Sequence, residues 1–317
     1  MTIHNFLKIT ILIGLLILLS ATSIAGQEQE ANIRINQIYN TLDNNKFNIS
    51  ERISIISEKF LGKPYFLGAL GEGNHGDYNQ LPLYRTDVFD CETYVDTVLA
   101  LAFASNLNDF KHYINQIRYR DGHVAFIYRN HFTCLDWNIN NQHEGFVKDI
   151  TTTIHDKHNK SIVKFASALI NKPAWYNHMN TSIIQIPNID ENSRAKLLES
   201  LKLEGSNLPI VTSTIPYIPL TALFNEDGKE NDYLFKQIPN AAIIEIVRPN
   251  WNLSEEIGTN LNVSHLGFAI WENDKILFRQ ASSSEHQVID IPLIDYLRNT
   301  LKSPTIKGIN IQIVLPN

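Results

Sequence analysis

The sequence lacks several features that would assign it quickly. It has no excess of positive charge: 27 Lys and Arg stand against 33 Asp and Glu, a formal net charge of −6. That excludes a surface holding nucleic acid through the field of the whole molecule, so any anionic ligand must be gripped by local Arg or Lys. Histidines at paired zinc spacing are missing too. His75, His112, His143, His155 and His158 are scattered, and neither a metal site nor any other cofactor is expected. There is no Gly-rich phosphate loop opening a helix, no internal repeat and no low-complexity segment. The apolar run Ile9 to Leu19 is shorter than the ~20 residues of a membrane-spanning helix.

That run, preceded by Lys8 and followed by the small residues of Ser23-Ile24-Ala25, reads as a cleaved export signal over residues 1–25. One domain over residues 26–317 would follow, exported to the periplasm or beyond, with no stable membrane anchor once the signal is removed. No cysteine follows the run, which excludes a lipid-modified N-terminus. Cysteine is scarce throughout, with only Cys91 and Cys134 present, and in an exported protein such a pair reads first as a disulfide. The residues around Cys91 argue otherwise.

Helices are expected over Ile33 to Leu42, over Ser50 to Leu61 from a Ser cap, over residues 91–104 behind an Asp90 cap, and over Asn108 to Arg118. His123 to Tyr128 reads as a strand. From Asn138 to Asn240 the periodicity fades among prolines, with one helix near Ser193 to Leu203. The last eighty or so residues read as antiparallel sheet: Ala242 to Val247, Ser264 to Trp271, Lys275 to Arg279 and Gly308 to Val314. Glu272-Asn273-Asp274 forms a turn and Leu293 to Leu301 a short helix. Helices first and strands later indicate an α+β fold.

Phe89-Asp90-Cys91-Glu92 puts a cysteine on the first turn of a helix, where unpaired N–H groups and the positive end of the dipole favour a thiolate and can hold an oxyanion. A core cysteine would sit mid-helix instead. His265 lies in Val263-Ser264-His265-Leu266-Gly267, on the strand face opposite Leu266 and Phe268. The next strand, Ile276 to Ser283, offers a polar side chain to orient its imidazole. Cysteine, histidine and orienting group on separate elements form the cysteine-hydrolase pattern.

With these residues the chain resembles the NlpC/P60 superfamily of papain-like cell-wall hydrolases, and within it the N-acetylmuramoyl-L-alanine amidase-like family, DUF1460. The resemblance rests on Gly62-Lys63-Pro64-Tyr65-Phe66-Leu67-Gly68, Asp90-Cys91, Ser264-His265-Leu266-Gly267, Gln280-Ala281-Ser282-Ser283 and the stretch Arg118 to Trp137. It covers most of residues 60–315. Two positions depart from the pattern: the third catalytic residue is usually His and here is Gln280, and the strand before the histidine opens with Asn240-Ala241-Ala242 rather than Gly-Asp.

The resemblance implies a papain-like α+β fold whose nucleophile helix packs on an antiparallel sheet, with a large insertion between cysteine and histidine. It implies Cys91 as nucleophile, His265 as base, Gln280 as its orienter and Tyr65 at the oxyanion site. Candidate substrate contacts are Asp90, Arg118, Arg129, His131, Asp136 and Trp137; the cations suit stem-peptide carboxylates and Trp137 a sugar ring. The implied reaction is hydrolysis of the amide between N-acetylmuramic acid and L-alanine in muropeptides. Two other readings compete: a γ-D-glutamyl-diamino-acid endopeptidase in which Asp90 holds a free amine, and a non-catalytic wall-binding module with a Cys91–Cys134 disulfide.

Overall fold

The structure, a computed structural model, describes residues 24–42 and 46–316. The expected export signal lies outside the described residues except for Ile24 and Ala25, which open the first helix. Four helices come first: α1 (Ile24–Thr41), α2 (Ile49–Glu58), α3 (Cys91–Phe103) and α4 (Leu107–Arg118). Ala31, Ile35 and Ile38 bury one stripe of α1, and Ile53 and Ile56 do so for α2. The expected Ser cap of α2 is Asn48 instead, whose side chain accepts from Glu51 N–H while the Glu51 carboxylate accepts from Asn48 N–H.

In α3 every residue from Thr93 to Ala102 is buried, so it is a central helix enclosed on all sides rather than one with a single apolar face. Both ends are fixed by side chains. Asp90 caps the start, and the buried Arg52 of α2 donates to the carbonyls of Ala102 (2.7 Å) and Ala104 (2.6 Å) at the other end, where the helix dipole is negative.

After α4 the chain is irregular. The strand expected over His123 to Tyr128 does not form: 3-10 turns occupy Arg120–Gly122 and Phe126–Tyr128. Asp121 (φ 54°) and Gly122 (φ 67°) take left-handed backbone, which interrupts an extended run, and Phe126 N–H donates to Glu72 Oε1 (2.8 Å) rather than to a neighbouring strand. Then follow α5 (Asn138–His143), β1 (Val147–Asp149), β2 (Lys164–Asn171), α6 (Lys172–His178), α7 (Glu191–Ser206), β3 (Ile210–Pro219), α8 (Leu220–Leu223) and α9 (Asp232–Phe235). The C-terminal part holds β4 (Ala242–Leu253), β5 (Thr259–Glu272), β6 (Lys275–Ser282), β7 (Gln287–Pro292), α10 (Leu293–Thr300) and β8 (Gly308–Val314). Asn273 (φ 46°) and Asp274 (φ 64°) make the expected β5–β6 turn.

All eight strands join one antiparallel sheet in the order β2-β3-β8-β4-β5-β6-β7, with β1 also on β8. The fold is α+β. One sheet face, through Ile243, Leu266, Phe268 and Ala281, packs on α1 to α4. The other, through Ile244, Ile246, Phe278 and Ile309, packs on α8, α9 and α10. The β2–β3 hairpin forms a further small core with the ends of β4 and β5, where Ala166, Ala168 and Ile170 meet Val247 and Val263.

Arg279 of β6 joins the sheet to α2. Only 2% exposed, it donates from Nε and Nη2 to Asp290 of β7 (2.7 Å each) and from Nη1 to Ser54 O (3.0 Å) and Ser57 Oγ (3.1 Å). Removing one partner of a buried pair leaves the other poorly solvated. Arg279→Ala is therefore expected to lower unfolding stability by about 3 kcal/mol in urea titrations, and Arg279→Lys to recover only part of it. A loss below about 1 kcal/mol would mean that this ion pair does not hold β6 and β7 to α2.

Candidate active site

Cys91 is the first residue of α3, and its position follows from the cap before it. Asp90 Oδ1 accepts from Thr93 N–H (2.9 Å) and Thr93 Oγ1 (2.8 Å), while Thr93 Oγ1 accepts in turn from Asp90 N–H (3.0 Å). Asp90 Oδ2 accepts from Gly68 N–H (3.2 Å), which ties the loop before the helix to the same carboxylate. Both oxygens of Asp90 thus have partners within the chain.

The segment 62–68 runs beside Phe89 and the end of β7. Phe66 N–H donates to Phe89 O (2.9 Å), Phe89 N–H to Pro64 O (3.1 Å), and Tyr65 N–H to His286 O (2.8 Å). This brings the Tyr65 ring to Cys91. Burial, then Cys91 and Asp90, push the phenol up to about 12, so Tyr65 remains a neutral hydroxyl donor.

On the sheet, Ile246 pairs with His265 but Val247 pairs with Val263, so Ser264 is an extra residue bulged out of β5. A bulge next to a side chain re-aims it. The His265 ring bonds through Nε2 to Gln280 Oε1. An amide oxygen only accepts, so Nε2 carries the proton and Nδ1 keeps the lone pair of a base. Gly267 makes room for this contact, because a Cβ there would lie 2.7 Å from Arg279 O and 3.0 Å from Gln280 Cβ. Phe278 (ring centroids 5.7 Å) and Tyr296 (6.4 Å) flank the imidazole.

Burial drives His265 down to about 4 against the opposing pull of the Gln280 bond. Cys91 moves the other way: burial first, then the carboxylates of Asp90 and Glu92, raise its thiol, and backbone contacts with Leu266 and Glu92 only partly offset this. The thiolate expected from the helix dipole alone is therefore not the resting state; local carboxylates and burial outweigh the dipole. Cys91 and His265 share no hydrogen bond. The link between their elements is Leu266, the residue after His265, whose backbone meets the Cys91 sulfur.

The expected substrate contacts divide. Arg118 is 5% exposed and committed to Leu83 O (2.7 Å) and Asp96 (3.8 Å), and Trp137 is fully buried with Nε1 on Asp96 Oδ1 (2.8 Å). Neither can meet a ligand, and Trp137 cannot stack on a sugar. His131 is no cation: burial and the charge of Arg129 hold its pKa well below the usual range, and its ring packs between Phe126 and Trp175 with Nε2 on Phe126 O (2.9 Å). Arg129 and Asp136 remain candidates, lining a cavity of about 320 Å³ with Arg120, Tyr128 and Lys172. There Asp136 pairs with Lys172 at 2.5 Å. None of Cys91, His265, Gln280 or Tyr65 lines that cavity. Two residues before the lining residue Leu135, Thr133 Oγ1 donates to Glu92 Oε2 (2.9 Å) on the nucleophile helix.

Both cysteines are free; Cys134 is buried in the small core under the β2–β3 hairpin. Among the described residues no group of His, Cys, Asp and Glu is placed to hold a metal. Sequence reasoning missed Tyr296 and Arg248. Both were findable by period: Tyr296 lies three residues after Leu293 on the expected short helix, and Arg248 continues the alternation of Ile244 and Ile246 one step past the expected strand.

An antiparallel α+β fold that sets a thiol at a helix start, and an imidazole with its amide partner on the strand whose backbone meets that thiol, defines a class of candidate hydrolytic proteins. The family model described as AmiA-like, N-acetylmuramoyl-L-alanine amidase-like, matches residues 55–306, and the chain belongs to that family. A Legionella pneumophila protein of family DUF1460, known from its crystal structure, is 51% identical over 93% of this chain and 97% of its own, with a TM-score of 0.90. A crystal structure of an N-acetylmuramoyl-L-alanine amidase from Bacteroides uniformis shares the fold at 23% identity, covering 84% of this chain and 98% of its own, with a TM-score of 0.55. Among curated proteins no match is found.

The buried imidazole sets a testable titration. By NMR, His265 should take up its proton at about pH 4, and Gln280→Ala should move that midpoint lower, because the Gln280 bond raises it. The neutral ring contributes stability that is full above the unfolded value of roughly 6.5 and is lost as pH falls towards about 4. A midpoint near 6.5 would show that the ring is open to water.

Proposed function

We propose that the protein is a cysteine-dependent amidase that cleaves the N-acetylmuramoyl-L-alanine bond in peptidoglycan fragments, with a papain-like NlpC/P60 arrangement and a periplasmic or secreted location. Membership in the amidase-like family supports a cell-wall hydrolase. The observation that carries the catalytic reading is the His265–Gln280 bond, which leaves Nδ1 as a free base on the strand that touches the Cys91 sulfur.

Because both groups rest neutral, the first step is coupled: His265 Nδ1 takes the Cys91 proton as sulfur attacks the lactyl carbonyl. The Tyr65 hydroxyl donates to the oxyanion. His265 then protonates the departing alanine amine, and a water activated by the same ring releases the acyl group from sulfur. Gln280 keeps the imidazole in one tautomer and orientation throughout.

The endopeptidase reading requires Asp90 to hold a peptide amine, yet its oxygens already accept from Thr93 and Gly68. The wall-binding reading requires a disulfide, and both thiols are free.

Mass analysis of a defined muropeptide after incubation tests the bond. The expected products are the intact sugar and a stem peptide beginning with L-alanine; L-alanyl-D-glutamate left on the sugar would sink the amidase reading. Cys91→Ala should abolish turnover without unfolding, Cys134→Ala should remain active, and Gln280→Ala should lower kcat by ~10-fold or more. Equal loss in both cysteine variants would overturn the assignment of the nucleophile. The rate constant kcat/KM should rise with pH through about 4, as His265 loses its proton, and then level off.

A further inference from the structure

On β4, two residues beyond Ile246, the strand partner of His265, lies a cation that the proposed chemistry does not use. Between the pairs Val247↔Val263 and Trp251↔Leu261, β4 carries Arg248, Pro249 and Asn250 opposite the single residue Asn262 of β5. Asn250 takes left-handed backbone (φ 50°), its N–H donates to Asn262 Oδ1 (3.1 Å), and its Oδ1 accepts from Asn260 Nδ2 (2.8 Å). Asn262 is fully buried and anchors the bulge further by donating to Ala166 O (3.2 Å) and Ser213 O (3.1 Å). This backbone is built rather than slack, and it serves to aim Arg248.

The Arg248 guanidinium lies over the Trp251 ring at 4.3 Å. Its Nε is buried without a partner, and among the described residues no carboxylate pairs with it. Arg298 and Arg85 are neutralised, by Glu230 and Asp295 and by Asp87, whereas Arg129, in the wall of the cavity that Cys91 does not line, shares with Arg248 buried nitrogens that lack a partner. An unpaired guanidinium stacked on an indole is preorganised for a planar anion, since its donors are fixed and its desolvation is already in place. Tyr296 links it to the reacting groups. The tyrosine ring packs against Phe278 (4.9 Å) and His265 (6.4 Å), and its hydroxyl senses both Arg248 and Cys91.

The geometry points to Arg248, on its Trp251 platform, as the anchor for a carboxylate in the leaving peptide of the scissile amide, one or two residues beyond the bond. The side follows from the chemistry. The group that protonates the departing amine is His265, so the amine-bearing fragment leaves on the His265 side of the sulfur, where Tyr296 and Arg248 stand. The inference rests on the amidase reading for its substrate, a peptide with a free carboxylate near its N-terminus, but the anchor itself is tested by binding alone.

Titration calorimetry with the dipeptide L-alanyl-D-glutamate, as free acid and with its carboxylates amidated, provides that test on wild type, Arg248→Ala, Arg248→Lys and Trp251→Ala, each checked for folding by its melting curve. Wild type should favour the free acid by about tenfold or more, the scale of one charge-assisted pair. Arg248→Ala should lose that preference, Arg248→Lys keep part of it, and Trp251→Ala weaken it. If Arg248→Ala fails to fold, the Lys variant decides: a preference equal to wild type overturns the anchor, because an ammonium cannot reproduce a fork held on a ring. Absence of any preference in wild type overturns it as well. Hydrolysis of a muropeptide measured in parallel separates the two readings. Turnover without carboxylate preference removes the anchor and leaves the amidase, whereas preference without turnover supports the anchor and removes the amidase.

Discussion

The position of α3 constrains everything else at the site. Ten consecutive residues, Thr93 to Ala102, have no solvent face, so the polar groups among them had to be satisfied inside the protein. Asp96 is met by Trp137 and Arg118, the helix end by Arg52, and the helix start by Asp90 and Thr93. Each of these contacts explains a residue that would otherwise look like a ligand-binding group. Together they fix where Cys91 sits, because a helix held at both ends and enclosed by α2, α4 and the sheet has little freedom to slide.

Holding the helix so firmly has an electrostatic cost for the nucleophile. The cap that fixes Cys91 is itself a carboxylate, and Asp90 and Glu92 both oppose ionisation of the thiol. The site answers with position rather than with a ready-made ion pair. The Ser264 bulge turns His265, Gly267 lets β6 close up, and Gln280 takes Nε2 so that Nδ1 is the nitrogen left to act. A neutral orienter suits this arrangement. A carboxylate in place of Gln280 would raise the imidazole pKa and add a third negative charge near the sulfur.

Much of this was legible in the sequence, and the gaps have physical reasons. The Asp90 cap, α3, α4, the β5–β6 turn and the C-terminal strands depend on local signals: a capping residue, helical spacing, strict alternation. The β2–β3 hairpin was invisible because both of its faces carry apolar residues. Ala166, Ala168 and Ile170 point inward while Phe165 and Leu169 are exposed, which flattens the alternation, and Pro216 and Pro219 argue against a strand. Arg118, His131 and Trp137 were read as ligand contacts because charge and aromaticity say nothing about burial; only the tertiary pairing with Asp96 and Phe126 O decides it. Arg248 and Tyr296 lie on separate elements, so the period that places each of them could not pair them.

The acidic residues at the start of α3 pose a last question, since a thiolate there would face several of them. Glu92 and Asp96 resolve part of it themselves. Burial raises both above the ordinary carboxylate range, Asp96 adds to the resistance of Glu92 to ionisation and Asp90 to that of both, while Arg118 pulls against it. The resistance of Glu92 to ionisation eases its opposition to the sulfur, and its Oε2 accepts from Thr133. Asp90 is held differently, its oxygens accepting from N–H and O–H donors at Thr93 and Gly68. The sulfur therefore contends with burial and with the Asp90 carboxylate ahead of Glu92, and the remaining barrier to its ionisation falls on the proton transfer to His265. That is why the orientation of one imidazole, set by a bulge, a glycine and an amide, governs what this helix start can do.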